Sequence, residues 1–307
     1  MTVEEPYYWN RQIAYLHKSA SLYYNDDYLK FLVDTVWKID RPVHMIDFGC
    51  GFGHLGLRLL PFLKEGSTYT GIDAGTKLID HARHLFKNLP YEVEFVVGDF
   101  LSLPINKKYD LAVCHAVLLH MAEPMRMLRK MVDSVKTGGK VIAFEPHWNG
   151  NMASHHFQGI DQSRIIPLGL LQELFERDAK RYGKDGNIGL KLPLYFNRIG
   201  LSDVQCRVSD KVNILDPEVD REIAAQLYEA ITFTDPGDIE PFIQCLIERG
   251  MLPEEAHRQY EAEKLLSTAF TPSVAATYAA GMKITFGNVV EQIQLDQQNI
   301  QTALDLP

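Results

Sequence analysis

The stretch that decides the fold is Val43-His-Met-Ile-Asp47-Phe-Gly49-Cys-Gly51-Phe-Gly53-His-Leu-Gly56. A short apolar run leads into Asp47 and then into glycines at alternate positions, Gly49, Gly51 and Gly53. This reads as a buried parallel strand followed by a turn whose backbone comes too close to a ligand for a Cβ. Beyond Gly53, Leu55, Leu59 and Leu60 recur at helical spacing, so the free N–H groups of that helix start would face the ligand. The stretch therefore predicts a nucleotide-type cofactor site at the first strand–helix turn of an α/β sheet.

Outward from it, strands and helices alternate. The predicted strands are 43–48, 69–73, 93–97, 109–114 and 140–145. Helices fit between them, including 123–136, with Pro124 in its first turn and Gly138-Gly139 to end it. Such alternation implies a parallel sheet covered on both faces. Residues 1–40 are dense in aromatics (Tyr7, Tyr8, Trp9, Tyr15, Tyr23, Tyr24, Tyr28, Phe31, Trp37) and read as a helical cap, with Asn25-Asp26-Asp27 as a helix start. Residues 147–166 lack periodicity and read as an excursion over the sheet edge. A helix over 168–181, a loop over 183–189, a helix over 190–198 and a sixth strand over 203–208 follow. Residues 217–280 look almost wholly helical, and the tail from Glu291 reads as a surface helix or a frayed end. No internal repeat is visible.

The glycines alone do not name the cofactor. Gly51-Phe-Gly53-His-Leu-Gly56 satisfies the dinucleotide pattern G-x-G-x-x-G, and Asp73 stands at about the ribose-acid distance. Asp47, two residues before Gly49, extends the element to D-x-G-x-G-x-G. Gly98-Asp99 after strand three and Gly138-Gly139 before strand five add to it. With these, the chain resembles the class I S-adenosylmethionine-dependent methyltransferases, well over residues 43 to about 147 and more loosely over 185–208. Thr137 stands where that family usually has the proline of a Pro-Gly-Gly.

The resemblance implies a doubly wound, mostly parallel seven-stranded α/β sheet, with a late antiparallel strand expected at 282–290. It divides the chain into an N-terminal helical cap (1–40), a Rossmann-like core (41–210, with 147–182 over the substrate side) and a mainly helical insertion (211–307). It implies S-adenosylmethionine as cofactor, S-adenosylhomocysteine as product, and a site formed by Asp47, Gly49, Cys50, Gly51, Gly53, Asp73, Ala74, Leu78, Asp99, Phe100 and His115. In that reading Asp73 accepts the ribose hydroxyls, Asp99 takes the adenine amino group, Leu78 and Phe100 wall the ring, and His115 lies beside the sulfonium. The plainer readings are a helix cap for Asp73, an ordinary Gly-Asp turn at 98–99, and core packing for the apolar pair. Glu145-Pro146-His147, after strand five, offers a general-base pair of Glu145 and His147, with His115 as a third catalytic candidate. The alternative for Glu145 is a capping role. Asp110 reads as structural, holding the start of strand four.

Composition fits this picture. The chain has 307 residues, 46% hydrophobic and 23% charged, enough for a large domain with a cap. A net charge of −9 without a Lys/Arg stripe argues against nucleic acid. Its four cysteines lack C-x-x-C spacing and His155-His156 are merely adjacent, so no metal is expected. With no signal-peptide pattern and no apolar run of membrane-spanning length, the expectation is a cytoplasmic protein acting on a small molecule. A nicotinamide-dependent oxidoreductase and a non-catalytic cofactor binder remain as rival readings.

Overall fold

A computed structural model describes residues 8–231 and 233–291. Tyr7 and the tail beyond Glu291 lie outside the described residues. Ten strands form, β1 (His44–Phe48), β2 (Thr68–Asp73), β3 (Glu92–Val97), β4 (Tyr109–His115), β5 (Val135–Pro146), β6 (His155–Phe157), β7 (Ser202–Val208), β8 (Asn213–Leu215), β9 (Ala276–Tyr278) and β10 (Met282–Asn288). Seven of them make one sheet in the order β3-β2-β1-β4-β5-β10-β7. The first five are mutually parallel, and β10 runs antiparallel between β5 and β7. This is the seven-stranded, doubly wound sheet that the sequence predicts.

Alternation along the strands sorts side chains to two apolar layers. On one face Met45, Val113, Ile142 and Phe144 pack with Leu29, Leu32, Val33 and Trp37. On the other, Ile46, Ala112, Cys114 and Ala143 meet Met127, Leu128 and Met131 of the helix Pro124–Ser134 and Phe196 of Leu192–Arg198. The N-terminal segment is therefore divided. Residues 26–37 supply the core of one sheet face, while Tyr8, Trp9, Tyr15 and Tyr23 turn toward the carboxyl ends of the strands.

Two local readings change. The helix expected to reach residue 136 stops at Ser134, and the chain is already paired as β5 from Val135. Gly139 allows this crossing, because a Cβ there would sit 2.5 Å from the carbonyl oxygen of Asp110. Residues 147–166 and 217–280 also carry more than loop and helix. A second sheet, β6-β9-β8, is antiparallel throughout. It shares its own apolar core with the helices Leu168–Tyr182, Ile239–Glu248 and Pro253–Ala269. Among the described residues no helix is long and apolar enough to cross a membrane.

Candidate active site

The turn after β1 is held by its backbone. Gly49, Gly51 and Gly53 all have positive φ (71°, 56° and 81°), which L side chains rarely adopt. At Gly51 an added Cβ would meet nothing within 4 Å, so this glycine faces open space. Gly53 differs. It precedes the helix His54–Leu59 in the left-handed conformation, and a Cβ would lie 2.7 Å from the ring of Phe86. It shapes the turn by packing and does not line the cavity.

That cavity, of about 1290 Å³, opens over the carboxyl ends of the parallel strands, where α/β sheets bind ligands. Asp47, Gly49, Cys50 and Gly51 reach it from β1 and its turn, and Asp73, Ala74 and Leu78 from the end of β2. Asp99 and Phe100 follow β3, and His115 ends β4. Ten of the eleven residues expected at a cofactor site thus face one space, and Gly53 stands behind it.

Their electrostatics differ. Asp47 is buried and accepts the Tyr69 hydroxyl on Oδ2 (2.7 Å), while Oδ1 has no protein partner. Burial pushes its carboxyl up to about 7, against the pull of the Tyr69 bond. Asp73 accepts the N–H of Gly51 on Oδ2 (2.9 Å) and that of Gly75 on Oδ1 (2.7 Å). Burial raises its pKa and the two N–H groups oppose the rise. The Asp73 carboxylate therefore ties the glycine turn to the end of β2 and also presents an edge to the cavity. Asp99 accepts the N–H of Leu101 (2.9 Å) and the Ser102 hydroxyl (2.7 Å), which fixes it as a turn while it lines the same space.

His115 is buried, its pKa pushed down to about 4 by desolvation, and its Nε2 has no partner. It is a neutral imidazole at ordinary pH. His54 lies beside it, 5.6 Å between ring centroids, also held neutral by burial and with Nε2 unpartnered. His54 lines the cavity, and its place directly after Gly53 is its signal in the sequence. Tyr23 and Tyr24 pack against His115 at 6.0 and 5.8 Å. His120 lines the cavity with its ring 5.0 Å from that of Trp9.

Two of the catalytic candidates, Glu145 and His147, do not line the cavity. Glu145 is completely buried, and its Oε1 accepts the N–H groups of Val117 (2.9 Å) and Leu118 (2.8 Å). Its Oε2 accepts that of Leu119 (3.2 Å), so the carboxyl caps the turn after β4 and does not line the cavity. Burial lifts its pKa to about 7 and these bonds pull it back. His147 caps the helix Trp148–Ala153, its Nδ1 accepting the N–H of Gly150 at 3.0 Å. It is absent from the cavity wall as well. Asp110 has the structural role expected of it, accepting the N–H of His44 (2.9 Å) and pairing with Lys136 and Arg41. His155 also lines the cavity, and the insertion adds residues that no sequence motif marks, among them Gln259, Glu263 and Tyr278.

Residues 39–167 match the family model of a methyltransferase domain. Over 100 residues the chain is 30% identical to the ubiquinone biosynthesis O-methyltransferase of Coxiella burnetii, covering 32% of this chain and 42% of that one. Over 140 residues it is 29% identical to an uncharacterized 37.1 kDa protein in transposon TN4556 of Streptomyces fradiae, covering 45% and 40%. The chain thus spans about two fifths of the length of these curated relatives. A solved structure of Haemonchus contortus phospholethanolamine N-methyltransferase 2, in complex with phosphomonomethylethanolamine and S-adenosylhomocysteine, superposes with a TM-score of 0.52 at 12% identity. The match covers 93% of this chain and 58% of that one, and shows the shared fold. Residues 39–167 are thus similar to a methyltransferase domain, set in the fold shared with that solved structure.

Proposed function

We propose that the chain transfers a methyl group from S-adenosylmethionine to an oxygen, nitrogen or carbon atom of a small molecule. One observation carries this reading. The glycine turn, the three carboxylates Asp47, Asp73 and Asp99, and His115 converge on one cavity at the carboxyl edge of the sheet. The residues suit the cofactor. Gly51 leaves room for close approach, Asp73 offers acceptors for ribose hydroxyls, Leu78 and Phe100 can flank an adenine ring, and Asp47 keeps one oxygen unpaired. Strand order supports the choice over a nicotinamide enzyme. Dinucleotide folds run 3-2-1-4-5-6, whereas here an antiparallel last strand is inserted between β5 and β7.

When bound, S-adenosylmethionine supplies an electrophilic methyl on a sulfonium with a good leaving group. What remains for the chain is to align the acceptor and exclude water, and alignment can be worth about 7–11 kcal/mol. Tyr8, Trp9, Tyr15 and Tyr23 from the N-terminal cap cover one side of the cavity, and the insertion covers another. The enclosure suits a small acceptor and not a nucleic acid. Where the acceptor must lose a proton, the unpartnered Nε2 of His115 on the cavity wall is placed to accept it. The four cysteines are unpaired, which fits a reducing compartment such as the cytoplasm.

The test is transfer of isotopically labelled methyl from S-adenosylmethionine into a panel of small phenols, amines and carboxylic acids. Labelled product from at least one acceptor, lost in Asp73→Ala, is expected. Binding of the cofactor with no turnover on any acceptor would favour a non-catalytic binder.

A further inference from the structure

The wall that the insertion gives to the cavity has a chemistry of its own. Gln259, Glu263 and Leu266 stand at i, i+4 and i+7 on the helix Pro253–Ala269, so one face of that helix fronts the space. Gln259 is only 1% exposed, and its Nε2–H donates to Glu263 Oε1 across 2.7 Å. This bond fixes both which end of the amide is the carbonyl and where the carboxylate lies. Oε1 of Gln259 is left without a partner. Buried polar groups are rarely left so, and an orphan acceptor at a cavity wall calls for a donor from outside the protein.

Glu263 is also without a cation. The neighbouring Lys264 is engaged with Asp235 at 2.7 Å, and no ion pair involves Glu263 among the described residues. Lys184 is the one Lys or Arg among the described cavity residues, and it comes from the loop after Leu168–Tyr182, not from this helix. The one β6 histidine that lines the cavity does not supply a charge either. His155 lies opposite Tyr278 in the β6–β9 pair, and burial keeps its ring neutral, with a pKa of about 4. The rings of Phe233 and Tyr278 lie tilted against it, with centroids at 5.7 and 5.8 Å, and all three line the cavity. A carboxylate without a countercharge, an acceptor without a donor and aromatic faces on the same cavity all favour a cation.

We propose that Glu263 and Gln259 form an amine-recognition subsite, and that the methyl acceptor has an apolar or aromatic body ending in a protonated amine. Glu263 takes the charge, Gln259 positions the carboxylate, and Phe233 and Tyr278 hold the apolar body. The subsite rests on the methyltransferase reading only in taking its ligand to be the acceptor. An anionic acceptor is disfavoured, because its charge would face Glu263.

Calorimetric titration with three matched probes, 2-phenylethylamine, 2-phenylethanol and phenylacetate, tests this on protein saturated with S-adenosylhomocysteine. The amine is expected to bind about tenfold or more tightly than the alcohol, and phenylacetate more weakly than either. Glu263→Gln keeps the shape and an acceptor for Gln259, and is expected to bring the amine within about threefold of the alcohol. The proposal is overturned by equal binding of amine and alcohol, by phenylacetate matching the amine, by an amine advantage that survives Glu263→Gln, or by no binding of the amine. Should S-adenosylhomocysteine itself not bind, the cofactor reading fails, and the same titrations on the ligand-free protein decide the subsite separately.

Discussion

The backbone N–H of Gly51 donates to Asp73 Oδ2 across 2.9 Å, joining the glycine turn after β1 to the end of β2. One carboxylate therefore both shapes the loop and faces the cavity. Asp73→Ala removes a charged acceptor and should weaken S-adenosylhomocysteine binding by about 1–3 kcal/mol, with the fold retained. Calorimetric titration of the folded variant reads this directly, and unchanged affinity would reduce Asp73 to a loop brace.

Glu145 satisfies three buried N–H groups, so its loss is a matter of stability. Glu145→Ala should cost about 3 kcal/mol in urea unfolding, since the turn over 117–119 loses its acceptors. Glu145→Gln should lose less and keep turnover. A Gln variant with wild-type stability and no turnover would restore Glu145 as a catalytic base.

Asp47 gives the pH dependence a definite sign. Its folded pKa of about 7 lies above the usual 3.8, raised by burial. The folded state therefore binds the proton more tightly than the unfolded state. The resulting stabilisation is fully present below about pH 4 and is lost as pH rises through about 7. Asp47→Asn cannot lose it, so without cofactor the variant should gain on the wild type between pH 4 and 7, by about 1.4 kcal/mol per unit of pKa shift. Urea unfolding of both proteins at pH 5 and 8 checks this, and a constant difference would mean that Asp47 titrates normally.

The cofactor side of the site was legible because its chemistry is local. Asp47 and Asp73 stand in the last residues of their strands and the alternating glycines follow at once, so position in the chain fixes position in space. Glu145 shows the limit. It too stands at a strand end, but whether its lone pairs face a ligand or three nearby N–H groups depends on the path of residues 117–119. The β6, β8 and β9 strands are three residues each, too short for alternation to register. His155 and Tyr278 come together only through that pairing, and Gln259 and Glu263 only through the fold of the insertion. The acceptor side was consequently illegible.

The N-terminal segment should respond to ligand in two different ways. The Trp9 ring lies tilted 5.0 Å from that of His120 on the cavity wall, and Asn10 Oδ1 accepts the N–H of Lys77 at 3.1 Å. Leu29, Leu32 and Val33 are instead fully buried in the sheet core. Hydrogen exchange over residues 8–24 should slow when S-adenosylhomocysteine is added, with little change over 26–37. Equal exchange with and without bound ligand over 8–24 would make this segment plain packing and not a lid.

Cofactor identity is read out by ligand-dependent stability. A ligand that binds only the folded state raises stability by about 2.7 kcal/mol at one hundred times its Kd. S-adenosylhomocysteine should raise the melting temperature in a concentration-dependent way, and Asp73→Ala should shift that response to higher concentrations. NAD and NADP at the same concentrations should leave it unchanged. A reproducible rise with NADP and none with S-adenosylhomocysteine would contradict the account.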